Sequence, residues 1–218
     1  MRRVKLFVLV CAALVIVAAC AWRIYDVNAR AIRYPTERYG IGDNVALEGG
    51  FFADATENTA GYSLRIDGAQ TMSYNDYVRA YGVEGAQTVE GLDEASIICL
   101  TVTITNDSDK APDQGGFNIS LMSLVKPDGS GLMRVDTKLW SQAEPALAES
   151  PYAASTGVLP HTSYTTHIPL SAGLLTRDTL ADQASGGVTA TYHQPVEPGS
   201  YDLYLSVMPT RKLVTIDV

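Results

Sequence analysis

The stretch SIICLTVTITN, residues 96–106, decides the fold. Its large aliphatics Ile98, Leu100, Val102 and Ile104 alternate with Thr101, Thr103 and Thr105. Side chains on a strand point to opposite faces at period two, so this run predicts a strand with one apolar and one hydroxyl face. A slip of one residue would turn four aliphatics into water, which sets the register firmly. Cys99 falls on the threonine face and, with no basic neighbour in sequence to favour a thiolate, is expected to be a packed bystander.

Working outward, the same alternation recurs at Tyr62–Ile66, Phe117–Leu121, Tyr164–Leu170, Tyr201–Val207 and Val214–Val218, with weaker segments at Asn44–Leu47 and Leu132–Val135. Turn residues separate the runs at Asn106–Asp109, Pro127–Gly129 and Pro198–Ser200. Seven or eight such strands predict an all-β domain, an immunoglobulin-like antiparallel sandwich with one or two short helices. One helix is legible after Ser73, an N-cap with Asp76 three residues on, and Gly82 stands where a helix ends. Its stripe of Tyr74, Tyr77, Val78 and Tyr81 either packs over an open end of the sandwich or offers a tyrosine recognition surface. The stretches 139–157 and 173–195 are too long for hairpin loops, and Thr176–Ala184 suits a second helix. Loops of that length often carry function.

Before this domain lies an apolar run without charge, Leu6–Trp22, preceded by Arg2, Arg3 and Lys5. Seventeen helical residues rise about 25 Å, the short end of a bilayer span. Residues 1–23 are therefore expected to be a signal-anchor or transmembrane segment, residues 24–40 a stem, and residues 41–218 the β-sandwich. Val17, Ala18 and Ala19 before Cys20 offer an alternative, a lipoprotein cut and acylated at Cys20, and a simple cleaved signal is a third. Trp22 and Tyr25 suit the interface of an uncleaved anchor. Basic residues flank the run on both sides, so the signal-like start decides the orientation, with the bulk of the chain outside the cytoplasm.

Residues 34–218 hold ten basic and 23 acidic side chains, which excludes a phosphate-binding surface for nucleic acid. Cys11 and Cys20 lie in the apolar run, leaving Cys99 without a disulfide partner in the domain. No G-x-S-x-G, H-E-x-x-H, P-loop or dinucleotide glycine motif occurs. His161 and His167 flank one strand, but a structural zinc wants four ligands and His193 alone remains to help, so both are expected as surface or loop-edge residues. Asp107, Asp109 and Asp113 lack the glycine and distal glutamate of a calcium loop and are expected in a solvated turn. No catalytic residue, metal or cofactor is expected.

A tether, RYGIGDNVAL before the first strand, the short S-x-x-D helix ending in Tyr-Gly, the VTITN of Val102–Asn106 and a last strand after Ser206–Pro209 together resemble the membrane-anchored, telokin-like immunoglobulin-fold domains of Gram-positive bacterial surfaces. The resemblance covers residues 34–218 and implies a fold and a compartment. It brings no catalytic residues. The expected function is a membrane-tethered surface module meeting a protein or wall polymer; the alternative is an accessory or solute- or ion-sensing domain of a transporter or sensor.

Overall fold

In the computed structural model, which describes residues 2–31, 33–53, 57–148, 155–174 and 192–218, the apolar run is helical from Arg2 to Ala29 (α1). Twenty-eight residues rise about 42 Å, and Cys11–Ala29, with mean hydropathy 1.4, is a candidate membrane span by length and composition. It is the one helix among the described residues long and apolar enough to cross a membrane. Asp26 accepts ion pairs from Arg23 (3.4 Å) and Arg30 (2.7 Å), one helical turn to either side. The helix thus continues into the residues expected as a stem, and the unit it belongs to ends at Tyr34.

The second unit, Pro35–Val218, is mostly β-sheet. In chain order its elements are β1 (Thr36–Tyr39), β2 (Asn44–Ala46), β3 (Tyr62–Ser73), α2 (Tyr74–Tyr81), β4 (Ala95–Asn106), β5 (Phe117–Asn118), β6 (Ser123–Val125), β7 (Met133–Val135), α3 (Thr137–Trp140), α4 (Pro145–Ala148), β8 (Ser155–Thr156), β9 (Thr162–Ser171), β10 (Gly173–Leu174), β11 (Tyr192–His193), β12 (Ser200–Ser206) and β13 (Arg211–Asp217). Nine of these strands form one sheet in the order β1-β13-β12-β6-β7-β9-β4-β3-β2. All neighbours are antiparallel except β1 and β13, so the sheet is mixed rather than the antiparallel one expected. β1 reads TERY and is exposed along most of its length. It has no apolar alternation to read, and its parallel pairing gives no hairpin signal.

The central alternation is as the sequence predicts. Ile98, Leu100, Val102 and Ile104 are fully buried in one core with Val45 of β2, Ile168 and Leu170 of β9, Leu203 and Leu205 of β12, and Val214 and Ile216 of β13. Strands from both ends of the order share that core, so the sheet rolls round it like a barrel. Contacts between residues 47–51 and 206–212 close the roll. Phe51 donates its N–H to the Met208 carbonyl (2.8 Å), and Val207 donates back to Phe51 (3.1 Å). Gly50 allows that approach, because a Cβ there would sit 3.0 Å from Ser206 Oγ and 2.8 Å from the Leu47 carbonyl oxygen. Lys212, 3% exposed, reaches both Glu37 on β1 (3.1 Å) and Glu48 after β2 (3.0 Å).

The other face of β4 is divided. Ile97 and Cys99 are buried beneath α2 and α3 with Met72, Tyr77, Val78 and Leu139, while Thr101, Thr103 and Thr105 are half-buried. Ser73 caps α2 by accepting from the Asp76 N–H (3.0 Å), as the sequence predicts. Gly82 ends the helix as the sequence predicts, with φ −60° rather than a left-handed conformation, and glycine is needed because a Cβ would lie 2.4 Å from the Val78 carbonyl oxygen. Phe117–Leu121, read as one strand, turns after two residues into a 3-10 turn, which places Ile119 and Met122 on one buried side. The helix expected at Thr176–Ala184 lies outside the described residues.

Replacing Leu100 with Ala is expected to cost about 2–5 kcal/mol, because it empties a fully buried site. Thr105→Ala, which loses one bond to Ser163 Oγ on the open face, is expected to cost about 0.5–1.5 kcal/mol. Urea unfolding of the two variants checks the difference; equal losses would contradict the division of faces.

Candidate functional site

β4 pairs with β9 over ten residues, from Ile97 with Ser171 to Asn106 with Thr162. On its other edge β9 meets β7 only at Leu170 and Ser171, so the edge from Thr162 to Pro169 is left to other partners. Unpaired strand edges need covering, and the chain after β7, together with a side chain from α2, supplies the cover. Asp136 donates its N–H to the Pro169 carbonyl (2.9 Å), and its carboxylate caps α3 at Leu139 N–H (2.9 Å). Tyr77 of α2 donates its hydroxyl to the His167 carbonyl (2.7 Å). Trp140 then folds inward, 2% exposed, and its indole N–H donates to Thr166 Oγ1 (3.2 Å).

This cover leaves a cleft of about 520 Å³, lined by Trp140, Glu144 and Ala146 on one side and by Val158, Leu159 and Tyr164 on the other. That volume lies in the range of small-molecule sites. Its walls are mainly apolar and aromatic. Among the described residues Glu144 is the one charged residue of the lining, and its Oε1 accepts from Tyr164 Oη (2.5 Å) and Thr166 Oγ1 (3.1 Å). Oε2 has no hydrogen-bond partner among the described residues. Burial and the Glu144 carboxylate both push the Tyr164 phenol up, so it stays a donor. Thr156 Oγ1, also in the lining, is buried without a hydrogen-bond partner among the described residues.

Beside the cleft runs a hydroxyl row on the open face of β4 and β9. Thr105 pairs with Ser163 (2.8 Å), Thr103 with Thr165 (2.9 Å), and Thr101 with His167 Nδ1 (3.2 Å). Asp67, the extra residue where β3 bulges against β4, accepts from Thr103 and from Arg65 at 2.5 Å each. Tyr81 stacks on the His167 ring, 4.0 Å between centroids.

The tyrosine stripe named in the sequence is therefore split. Tyr77 is fully buried and its ring belongs to the outer core, so it presents no surface; burial pushes its phenol up. Tyr74 and Tyr81 are half-buried at the margin of that core. Cys99 is buried there too, and burial pushes its thiol up to about 12. Cys20 lies exposed within α1. His161 sits at the turn before β9 and pairs with exposed Asp109 (2.8 Å), while His167 stands on the hydroxyl face, so the two histidines do not meet. Asp107, Asp109 and Asp113 are exposed, and among the described residues no three His, Cys, Asp or Glu side chains gather to hold a metal. Trp140, Glu144 and Tyr164 were not foreseen as a group. The length of the stretch 139–157 was the available signal, for it contains two of the three.

The profile of a family described as Domain of unknown function (DUF5028) matches residues 36–212. No curated protein and no solved structure matches the chain.

Burial lowers the His167 pKa, with Glu144 opposing. The unfolded chain then binds a proton more readily once the pH falls through the unperturbed value of about 6.5. Stability present above that pH is lost as it falls toward the folded value. Wild type is expected to lose more stability between pH 7 and pH 5 than His167→Asn does, measured by urea unfolding at each pH. A second check concerns Cys99, which is expected to escape alkylation in the native protein and to react once it is unfolded, read by peptide mass mapping.

Proposed function

The chain belongs to this family of unknown function, DUF5028, and we propose for it a recognition role: a domain tethered to a membrane through α1, displayed outside the cytoplasm, that meets a protein or wall polymer through the cleft beside β9. The cleft carries this proposal. Aromatic and aliphatic walls around a carboxylate suit binding, and among the described residues no histidine, lysine or second carboxylate lines the cleft to exchange a proton with Glu144. The compartment rests on the basic start at Arg2, Arg3 and Lys5 and the apolar helix that follows. We read the rolled sheet as an immunoglobulin-like sandwich whose two halves face each other across the core, in keeping with the telokin-like resemblance.

Full-length protein in detergent, incubated with purified cell-wall polymer and separately with solubilised surface proteins, is expected to retain a partner in one arm. Tyr164→Ala, which removes one cleft wall, is expected to reduce retention at least tenfold. Retention in neither arm, or retention unchanged by the substitution, would overturn the proposal.

For the tether we favour an uncleaved α1 over acylation at Cys20, because Trp22 and Tyr25 furnish an interface anchor. Cys20→Ser is then expected to leave intact mass, apart from the one-atom exchange, and membrane retention unchanged. A membrane species that begins at Cys20 with added acyl mass would establish the lipoprotein instead.

A further inference from the structure

We infer that the cleft beside β9 takes an organic cation, an ammonium group on an apolar stem. This rests on reading the cleft as a recognition site and names the chemistry it selects. Any ligand that fills the space between Trp140, Val158 and Tyr164 also shuts water away from Glu144. A carboxylate covered by a neutral apolar body loses hydration without compensation, which costs far more than the apolar contact returns. Among the described residues the lining holds no lysine, arginine or histidine to face the carboxylate. The hydroxyls of Tyr164 and Thr166 both donate to Oε1, which fixes the carboxylate in place and leaves Oε2 to receive a further donor.

The walls agree with that choice. The Tyr164 ring lines the cleft beside the carboxylate that its own hydroxyl contacts. Aromatic faces attract ammonium groups within about 6 Å, and a charge-assisted hydrogen bond to a carboxylate is about twice as strong as a neutral one. Val158 and Leu159 offer an apolar track for the stem. The body around it carries 23 acidic against ten basic side chains, which draws cations toward it and repels anions. The cation can arrive as a free amine or as a lysine side chain of a polypeptide.

The test uses full-length protein in detergent with Trp22→Phe, so that fluorescence reports Trp140 alone. It is titrated with phenethylammonium and its neutral counterpart 2-phenylethanol, and in a second arm with Nα-acetyl-lysine methylamide and its norleucine counterpart. Saturable binding of either cation, at least tenfold tighter than its neutral counterpart and weakened at least tenfold by Glu144→Gln, supports the inference; the responding arm identifies the source. Glutamine keeps an oxygen for Tyr164 and Thr166 and removes the charge. Leu159→Lys, at an exposed rim position, installs an internal ammonium and is expected to weaken cation binding at least tenfold as well. Equal binding of cation and neutral compound, or affinity indifferent to both substitutions, overturns it. Retention of a polymer or surface protein together with flat titrations in both arms would sink the cation chemistry and leave the recognition role standing.

Discussion

Everything in the β unit depends on β4 being paired along both edges while both of its faces are covered at one end. Its partners β3 and β9 follow it for most of its twelve residues, and its even-numbered side chains from Ile98 to Ile104 form the middle of the main core. A strand so constrained cannot slide, since one residue of slip would exchange aliphatics for hydroxyls. Register propagates from it: Thr101, Thr103 and Thr105 meet His167, Thr165 and Ser163, and Ile104 meets Tyr164. The position of the cleft is thus inherited from the core. Tyr164 stands at the inner-facing register but near the strand's start, where the core runs out and the side chain is 41% exposed.

The second constraint is how a nine-stranded sheet ends. A rolled sheet with two free ends leaves unpaired backbone at each. Here the segment after β2 bonds to the turn before β13, and Lys212 joins carboxylates from β1 and from the chain after β2. Burial alone would lower the lysine's pKa, but Glu48 and Glu37 outweigh it and the pKa is raised. Loss of either glutamate leaves a buried ammonium with one partner fewer, whereas an apolar replacement of the lysine removes the buried charge itself.

The sequence shows the core better than the edges, for a physical reason. Where one face is buried and the other wet, apolar and polar residues must alternate, and β3, β4, β9, β12 and β13 carry that mark. β1 and β6 do not: one is exposed along most of its four residues, and the other is three residues long. The helix α2 was legible from Ser73 and Asp76, yet the pattern of Tyr74, Tyr77, Val78 and Tyr81 could not tell which rings face inward. That depends on the outer face of β4, where Ile97 and Cys99 receive Tyr77. Glu144 was invisible because a lone glutamate in a long connection has no periodicity; only the three-dimensional approach of Tyr164 and Thr166 gives it a role.

The pairing of β1 has a mechanical meaning. Any pull transmitted along the chain from the first unit enters the sheet at Thr36, and β1 is where it arrives. Arg38 crosses to Asp202 on β12 (2.7 Å), and Glu37 holds Lys212 on β13, so tension on one short exposed strand is divided among three strands at once. Without those two cross-links the four residues of β1 would peel away bond by bond. With them, a pull that reaches β1 is shared with β12 and β13, the two longest strands of that half of the sheet.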